Sequence, residues 1–307
     1  MNPNEAYEAA QKGVLSWKDA IEIFKKDPKI AYDYAIKVHG RFLEAEEHIK
    51  TNTEFAYRYA SSVIGGRFPE AEEYIKKDPN HAFNYARNII KGKWPEAEEF
   101  IKSDVNQAYN YAHYCLNERF PEAEEYIKKD TLTAYNYTKY VVRDRWQEAE
   151  EYIKKDPRFA HLYAREIIKG RWQEAEEYIK KNPESAYLYA KEVVKGRFTE
   201  AEEYIKKDAE IAYKYAREVV KGRFLEAEEC IKKYLAFAFD YATHVVKGRW
   251  QEAEDAILNG KKNSLEYCIL HKVKLPEQFH NKVLSEIAFG GKIQNLDLKK
   301  KYIKYVT

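Results

Sequence analysis

Apolar residues in this chain come in short bursts at helical spacing, broken by polar and proline-containing punctuation. Between Gly66 and Lys91, Phe68, Ala71 and Ile75 share one helical face, and Ala82, Ala86 and Ile89 or Ile90 share another. The pattern predicts two helices. Helix A covers about Pro69 to Lys77, with Pro69 in the first turn, Glu70, Glu72 and Glu73 at the positive end of the dipole, and Lys76 and Lys77 at the negative end. Helix B starts at Asp78-Pro79, a good N-cap followed by proline, and its alanines four residues apart admit a close neighbour. Lys91 falls in its last turn and Gly92 in the place of a glycine C-cap. Glu118 and Asp144 replace that glycine in two copies, where strained or differently built caps are expected.

The same hairpin returns every 26 residues. The triplet Gly40-Arg41-Phe42 recurs as Gly66-Arg67-Phe68, Gly92-Lys93-Trp94, Glu118-Arg119-Phe120 and onward to Gly248-Arg249-Trp250, nine copies in strict register. A period in this range means a solenoid, in which each unit buries its apolar face only against its neighbours. The predicted fold is all-α: an α-solenoid of tandem 26-residue helix-turn-helix repeats wound as a right-handed superhelix, with about 22 helices. Residues 1–16 form an N-terminal half-repeat cap, because Asn2-Pro3-Asn4-Glu5-Ala6-Tyr7 matches the start of helix B. Residues 17–273 form ten helical units, the first with helix A over about Lys18 to Lys26 and one residue missing before Gly40, the last degenerate at Ser264–Cys268. Residues 274–307 form a C-terminal cap: a helix near Glu277 to Phe289, a stop at Gly290-Gly291, and a basic tail carrying Lys299, Lys300, Lys301 and Lys304.

Composition narrows the function. Lys plus Arg total 53 against 51 Asp plus Glu, so no global charge pulls the chain toward nucleic acid or an anionic membrane. No apolar run reaches the roughly 20 residues of a membrane helix. The N-terminus shows no charged-then-apolar leader, and Cys115, Cys230 and Cys268 occupy slots held by Ile, Tyr or Ala in other copies. The expected setting is the cytoplasm, with no disulfide framework, metal site or cofactor. Near-identical units also give a row of equivalent sites instead of one asymmetric pocket, which argues against an enzyme.

Residues kept in every copy form ladders. Tyr34, Tyr59, Tyr85 and their equivalents to Tyr267 would suit base stacking. They would equally suit a half-polar core residue with its hydroxyl bonded to a neighbouring repeat. The slot is Ala9 in the opening half-repeat, where no earlier repeat exists to receive a ring, and this favours the core reading. Arg41, Arg67, Arg119 and their equivalents are spaced like a phosphate stripe, but Glu70, Glu72 and Glu73 offer closer partners. The glutamate rows fit helix-dipole matching better than acid–base catalysis. Lysines ending helix A (Lys76, Lys77) and helix B (Lys91, Lys169, Lys195, Lys221, Lys247) would line a basic rim if both rows share an edge.

Slots 80, 81, 84, 87 and 88 and their equivalents vary freely and are expected on the outer face of helix B. Arg58, Arg87, His113, Lys139, Arg165, Lys191 and Arg217 are the candidate partner-binding residues; catalytic and metal-ligating candidates are absent.

The string [GRF or GRW]-x-EAEEYIKKDPxxAYxYAxxVVKG resembles a class of short repeats in proteins of tailed bacteriophages and large DNA viruses. The resemblance runs from about Trp17 to Cys268. It implies a viral origin and a host-directed binder in the host cytoplasm, and it carries over no catalytic residue. The expected function is a non-enzymatic interaction module that binds a macromolecular partner, first a protein, through a curved solenoid surface. The alternative is a nucleic-acid or nucleotide-binding solenoid that uses the Lys and Arg rows with the tyrosines.

Overall fold

The computed structural model describes residues 1–38, 40–259, 264–289 and 296–306. Every regular element among them is helical: 23 α-helices, with five-residue π-type turns at the ends of eight helix Bs. The chain forms two compact units, Met1–Ile153 and Lys154–Thr307, both made of the predicted hairpin, so the protein is an all-α repeat solenoid.

The first unit opens with α1 (Pro3–Gln11), α2 (Trp17–Phe24) and α3 (Pro28–Val38). Asn2 caps α1 with a reciprocal Glu5 bond. Regular hairpins follow, such as Pro69–Ile75 with Pro79–Tyr85 and Pro121–Ile127 with Thr131–Tyr137. The second unit repeats the plan, for example in Thr199–Ile205 with Ala209–Tyr215. In these regular hairpins helix A has only seven residues and helix B seven followed by a five-residue π-type turn, too short to be stable alone, so stacking must supply the stability. Within each unit successive helix Bs pack side by side. Ala82 and Ala86 are completely buried where they meet, as are Ala71 and Ile75 of helix A. The Asp78 carboxylate accepts from the His81 backbone N–H, and Asp104, Asp130 and Asp208 do the same in their copies.

Two expectations change at the end of helix B. The left-handed residue is Lys91 (φ 61°), one place before the glycine, and its equivalents are Asn117, Arg143, Lys169, Lys195, Lys221 and Lys247. Only Gly65 fills this slot with glycine (φ 69°). The glycine of the triplet is not left-handed at Gly92, Gly170, Gly196, Gly222 or Gly248, so Glu118 and Asp144 cost no such strain. The second change concerns the length of the turn. The Ala86 carbonyl accepts from the Lys91 N–H and again, at 3.1 Å, from the Gly92 N–H six residues on. In the short first copy Gly40 donates to Ala35, only five back, and Val273 likewise donates to Cys268 in the last copy. The twenty-sixth residue is therefore absorbed in a widened turn, a π-bulge version of the usual helix stop.

A side-chain-bearing residue held left-handed costs about 1–2 kcal/mol, and glycine gives back about 0.4–1 kcal/mol through the freer unfolded chain. Lys195→Gly is accordingly expected to raise stability by about 0.5–1 kcal/mol, and Gly65→Lys to lower it by a similar amount. Urea midpoints of the two variants check this; a lower midpoint for Lys195→Gly would contradict the assignment of the cap.

The C-terminus also departs from expectation. Glu277–Phe289 is helical as anticipated, but the supposed basic tail is a helix, Leu296–Val306. Tyr302 on it is fully buried, and its hydroxyl accepts the Leu275 backbone N–H at 3.0 Å. Leu275-Pro276-Glu277 copies the Phe68-Pro69-Glu70 pattern, so this end behaves as an eleventh, longer hairpin with its own tyrosine rung. The anticipated stop at Gly290-Gly291 lies outside the described residues.

Candidate functional site

The tyrosine and arginine ladders meet in one closed network per hairpin. Arg67 grips Glu72 with two bonds, Nε to Oε1 at 2.8 Å and a terminal nitrogen to Oε2 at 2.7 Å. The Tyr85 hydroxyl donates to Glu72 Oε1 at 2.9 Å and accepts the backbone N–H of Phe68 at 2.7 Å. Phe68 precedes helix A and has no side-chain cap to offer, so the tyrosine hydroxyl belongs to the start of that helix. The same constellation recurs at Arg41–Glu46–Tyr59, Arg119–Glu124–Tyr137, Arg171–Glu176–Tyr189, Arg197–Glu202–Tyr215 and Arg223–Glu228–Tyr241. Burial pushes the Glu72 carboxyl up, but the bonds from Arg67 and Tyr85 outweigh it and hold the group below its ordinary range. Burial drives the tyrosines upward, Tyr59 to about 12.

This geometry corrects one detail. The hydroxyl bonds within its own hairpin, not to a neighbouring repeat; only the ring crosses, with Tyr85 5.0 Å from Trp94 of the next copy. The rings of this row from Tyr59 to Tyr267 are completely buried, so none offers a face for stacking.

The lysines of helix A are also engaged. Lys76 pairs with Glu73 at 2.8 Å, and Lys102, Lys128, Lys180, Lys206 and Lys232 repeat this i,i+3 bridge. Lys77, Lys181 and Lys207 lie over the rings of Tyr74, Tyr178 and Tyr204. Among the described residues, the left-handed lysines Lys91, Lys169, Lys195, Lys221 and Lys247 are exposed and make no ion pair.

The variable slots are arranged by a second ladder that runs between repeats. The side chain of slot 83 meets slot 88 of the next copy, 31 residues on: Asn88 donates to the Tyr57 hydroxyl at 2.8 Å, Tyr187 donates to Glu218 at 2.7 Å, and Tyr213 lies 3.2 Å from His244 Nδ1. Slot 87 sits between them. In the first unit this ladder is aromatic. The Arg87 guanidinium lies 4.3 Å from the centre of the Tyr114 ring, and His113 stacks parallel to Tyr109 at 5.8 Å with its edge against Tyr114 at 4.5 Å. Lys139 lies 5.1 Å from the Tyr140 ring. Tyr114 and Tyr140 are 51% and 41% exposed, while the tyrosines of the core ladder are closed off. In the second unit the ladder is ionic: Arg165 bonds Glu166 and Glu192, Lys191 bonds Glu218 at 2.6 Å, and Arg217 donates to the Tyr213 hydroxyl at 3.1 Å. His161 is buried against Glu192 at 3.0 Å, and burial holds its imidazole below the usual value despite that carboxylate.

The structure thus brings Arg87, His113 and Lys139 together around two exposed tyrosines. Arg165, Lys191 and Arg217 occupy the same repeat slot in the second unit, where they are engaged by their own chain. Arg58 stands apart, bonded to Glu54 at 2.7 Å. Slot 81, counted among the outward positions, turns inward at Thr133, Ser185 and Ile211, which are buried. Sequence reasoning missed Tyr114 and Tyr140, because the 31-residue relation that places them crosses from one repeat into the next. The signal available was their departure from the Ser, Asn, Glu or His of slot 88 in other 26-residue copies. The three cysteines are free thiols, and burial pushes Cys115 up to about 11 and Cys268 to about 12. Among the described residues no three metal-ligating side chains converge, and no helix is long and apolar enough to cross a membrane.

No protein-family model matches the chain, and neither a curated protein nor a solved structure shows significant similarity to it.

Proposed function

We propose that this chain is a non-enzymatic interaction module whose first unit binds a protein partner through the helix B surface centred on Tyr114 and Tyr140. The observation that supports it most is the pair of exposed tyrosines held between Arg87, His113 and Lys139. Tyrosine and arginine dominate interface hot spots, and rings already held by neighbours lose little freedom on binding. The resemblance to phage and large-virus repeats extends the reading to a host-directed binder in the host cytoplasm.

Nucleic acid is the second reading, and the observation in its favour is the unpaired left-handed lysine row. The tyrosine and arginine rows no longer add to it, since both are used inside each hairpin. The test is capture from host lysate, with and without nuclease, by the wild type and by a variant with Arg87, His113, Lys139 and Arg165 all replaced by Ser. A protein held by the wild type after nuclease and high salt, and lost by the variant, is the expected result. Equal capture by both excludes this face. Capture that disappears with nuclease and falls steeply with salt transfers the function to the lysine row.

A further inference from the structure

The first hairpin lacks the Arg–Glu–Tyr network that recurs along the chain. Ser16 stands in the arginine slot and Ile21 in the glutamate slot. Tyr34 holds the ladder position, but among the described residues its hydroxyl makes no hydrogen bond, and its ring leans instead on Trp17 at 5.5 Å and Phe24 at 5.3 Å. Beside Trp17 and Tyr34 this copy has a cavity of about 600 Å³. Its walls are Tyr7, Gln11, Trp17, Tyr34, Lys37 and Val38.

The chemistry of the walls selects a ligand. Three aromatic rings line the cavity, and Trp17 meets Tyr7 edge-on at 5.9 Å. Trp17 is 42% exposed, whereas Trp94, Trp146, Trp172 and Trp250 are at most 2% exposed. The Lys37 ammonium lies 4.8 Å from the centre of the Tyr7 ring and is exposed with no carboxylate partner among the described residues. The Tyr7 hydroxyl is closed to solvent and also has no hydrogen-bond partner. A buried polar atom in that state marks an arrangement that is incomplete as it stands. In regular hairpins such as Arg67–Glu72–Tyr85 the ladder hydroxyl donates to a carboxylate that an arginine also holds. Here both partners are missing, and the cation beside the rings is Lys37, from the helix B slot of Asn88.

We propose that this cavity binds a small planar aromatic ligand carrying an anionic oxygen group. The ring lies against Trp17 and Tyr7, and the anion is held by the Lys37 ammonium and the Tyr34 hydroxyl, both of which line the cavity. The volume falls in the range of small-molecule sites, and few polar groups on largely apolar walls is their usual make-up. A carboxylate and a phosphate satisfy the same donors, so the source is left to the experiment. The site is independent of the protein-binding surface on Tyr114 and Tyr140.

Trp17 makes the test direct, because the other four tryptophans are shielded. The full chain is titrated with 4-hydroxybenzoate, with adenosine monophosphate and with neutral phenol, following tryptophan emission and confirming by calorimetry. Saturable binding of at least one anion at about 1 mM or tighter, with phenol at least ten-fold weaker, is expected. A response to the benzoate alone assigns a carboxylate ligand, and a response to the nucleotide alone assigns a phosphate. Lys37→Gln should weaken the anion about ten-fold and leave phenol unchanged. Ser16→Arg combined with Ile21→Glu rebuilds the regular network on the Tyr34 hydroxyl, taking up that donor, and should abolish anion binding by calorimetry while the helical circular dichroism spectrum persists. The proposal is overturned by no saturable binding of either anion up to 10-fold above that concentration, by equal binding of phenol, or by undiminished binding in the rebuilt variant.

Discussion

Tyr85→Ala is expected to lower the free energy of unfolding by about 3–5 kcal/mol, and Tyr85→Phe by about 1–3 kcal/mol. The ring is completely buried and packs on Trp94, so alanine leaves a cavity where the next repeat cannot follow. Phenylalanine keeps the ring but removes the hydroxyl that accepts the Phe68 N–H and donates to Glu72, leaving a buried donor at the start of helix A. The charge pair Arg67–Glu72 should add less than the tyrosine, since the guanidinium is 56% exposed and screened by water. In a nearest-neighbour architecture the damage is local first. Hydrogen exchange should therefore quicken most around 69–94 in either variant, ahead of distant repeats. Urea unfolding and exchange mass spectrometry measure both effects; wild-type midpoints for Tyr85→Ala would overturn the account of the core ladder.

The second large effect is acid unfolding. Glu46, Glu72 and Glu176 are each pushed up by burial, but the arginine and tyrosine bonds prevail and their carboxyls lie below the ordinary value in the folded chain. A group depressed on folding adds stability above its unfolded value, about 4.3 for glutamate, and loses it as the pH falls through the folded value. His161 and His271 are depressed mainly by burial, so a smaller loss begins below about pH 6.5. The melting temperature should thus decline gently below about pH 6.5 and steeply below about pH 4.5. Glu72→Gln should be less stable at pH 7 but show a shallower acid limb. A melting temperature that stays level from pH 7 to pH 3 would refute the linkage.

The fold was legible because each hairpin states its own rules. Asp78-Pro79 announces a helix start, Ala82 and Ala86 mark close packing, and the 26-residue period removes any choice of architecture. The helix stop was misplaced by one residue. Gly92 looks like the left-handed cap by residue preference, yet the widened turn shifts that conformation onto Lys91. Preference for glycine is a local rule, and the extra residue in the turn overrode it. The basic tail misled for a related reason: charge in Lys299 to Lys304 suggested exposure, whereas Tyr302 among those lysines anchors a helix. Of the candidate site, Arg87, His113 and Lys139 were legible as variable positions. Their companions Tyr114 and Tyr140 were not, because a contact 27 or 31 residues away has no trace in the periodicity of a single helix. The unbonded Tyr34 hydroxyl beside the N-terminal cavity is foreseeable only after the network is known, when Ser16 and Ile21 become absences instead of ordinary surface residues.

The closure of each Arg–Glu–Tyr network inside its own hairpin has a consequence for heredity. Excising one whole period removes both partners of every such bond together and strands no buried donor. The aromatic residue that then meets the orphaned ring is another Phe or Trp of the same slot, as the alternation of Phe68, Trp94, Phe120 and Trp146 illustrates. Recombination that adds or removes whole repeats would therefore yield longer or shorter chains that still fold. Length in this chain is a quantity that can drift by whole repeats, while an insertion of any other size must find room in a turn such as the one that absorbs the twenty-sixth residue.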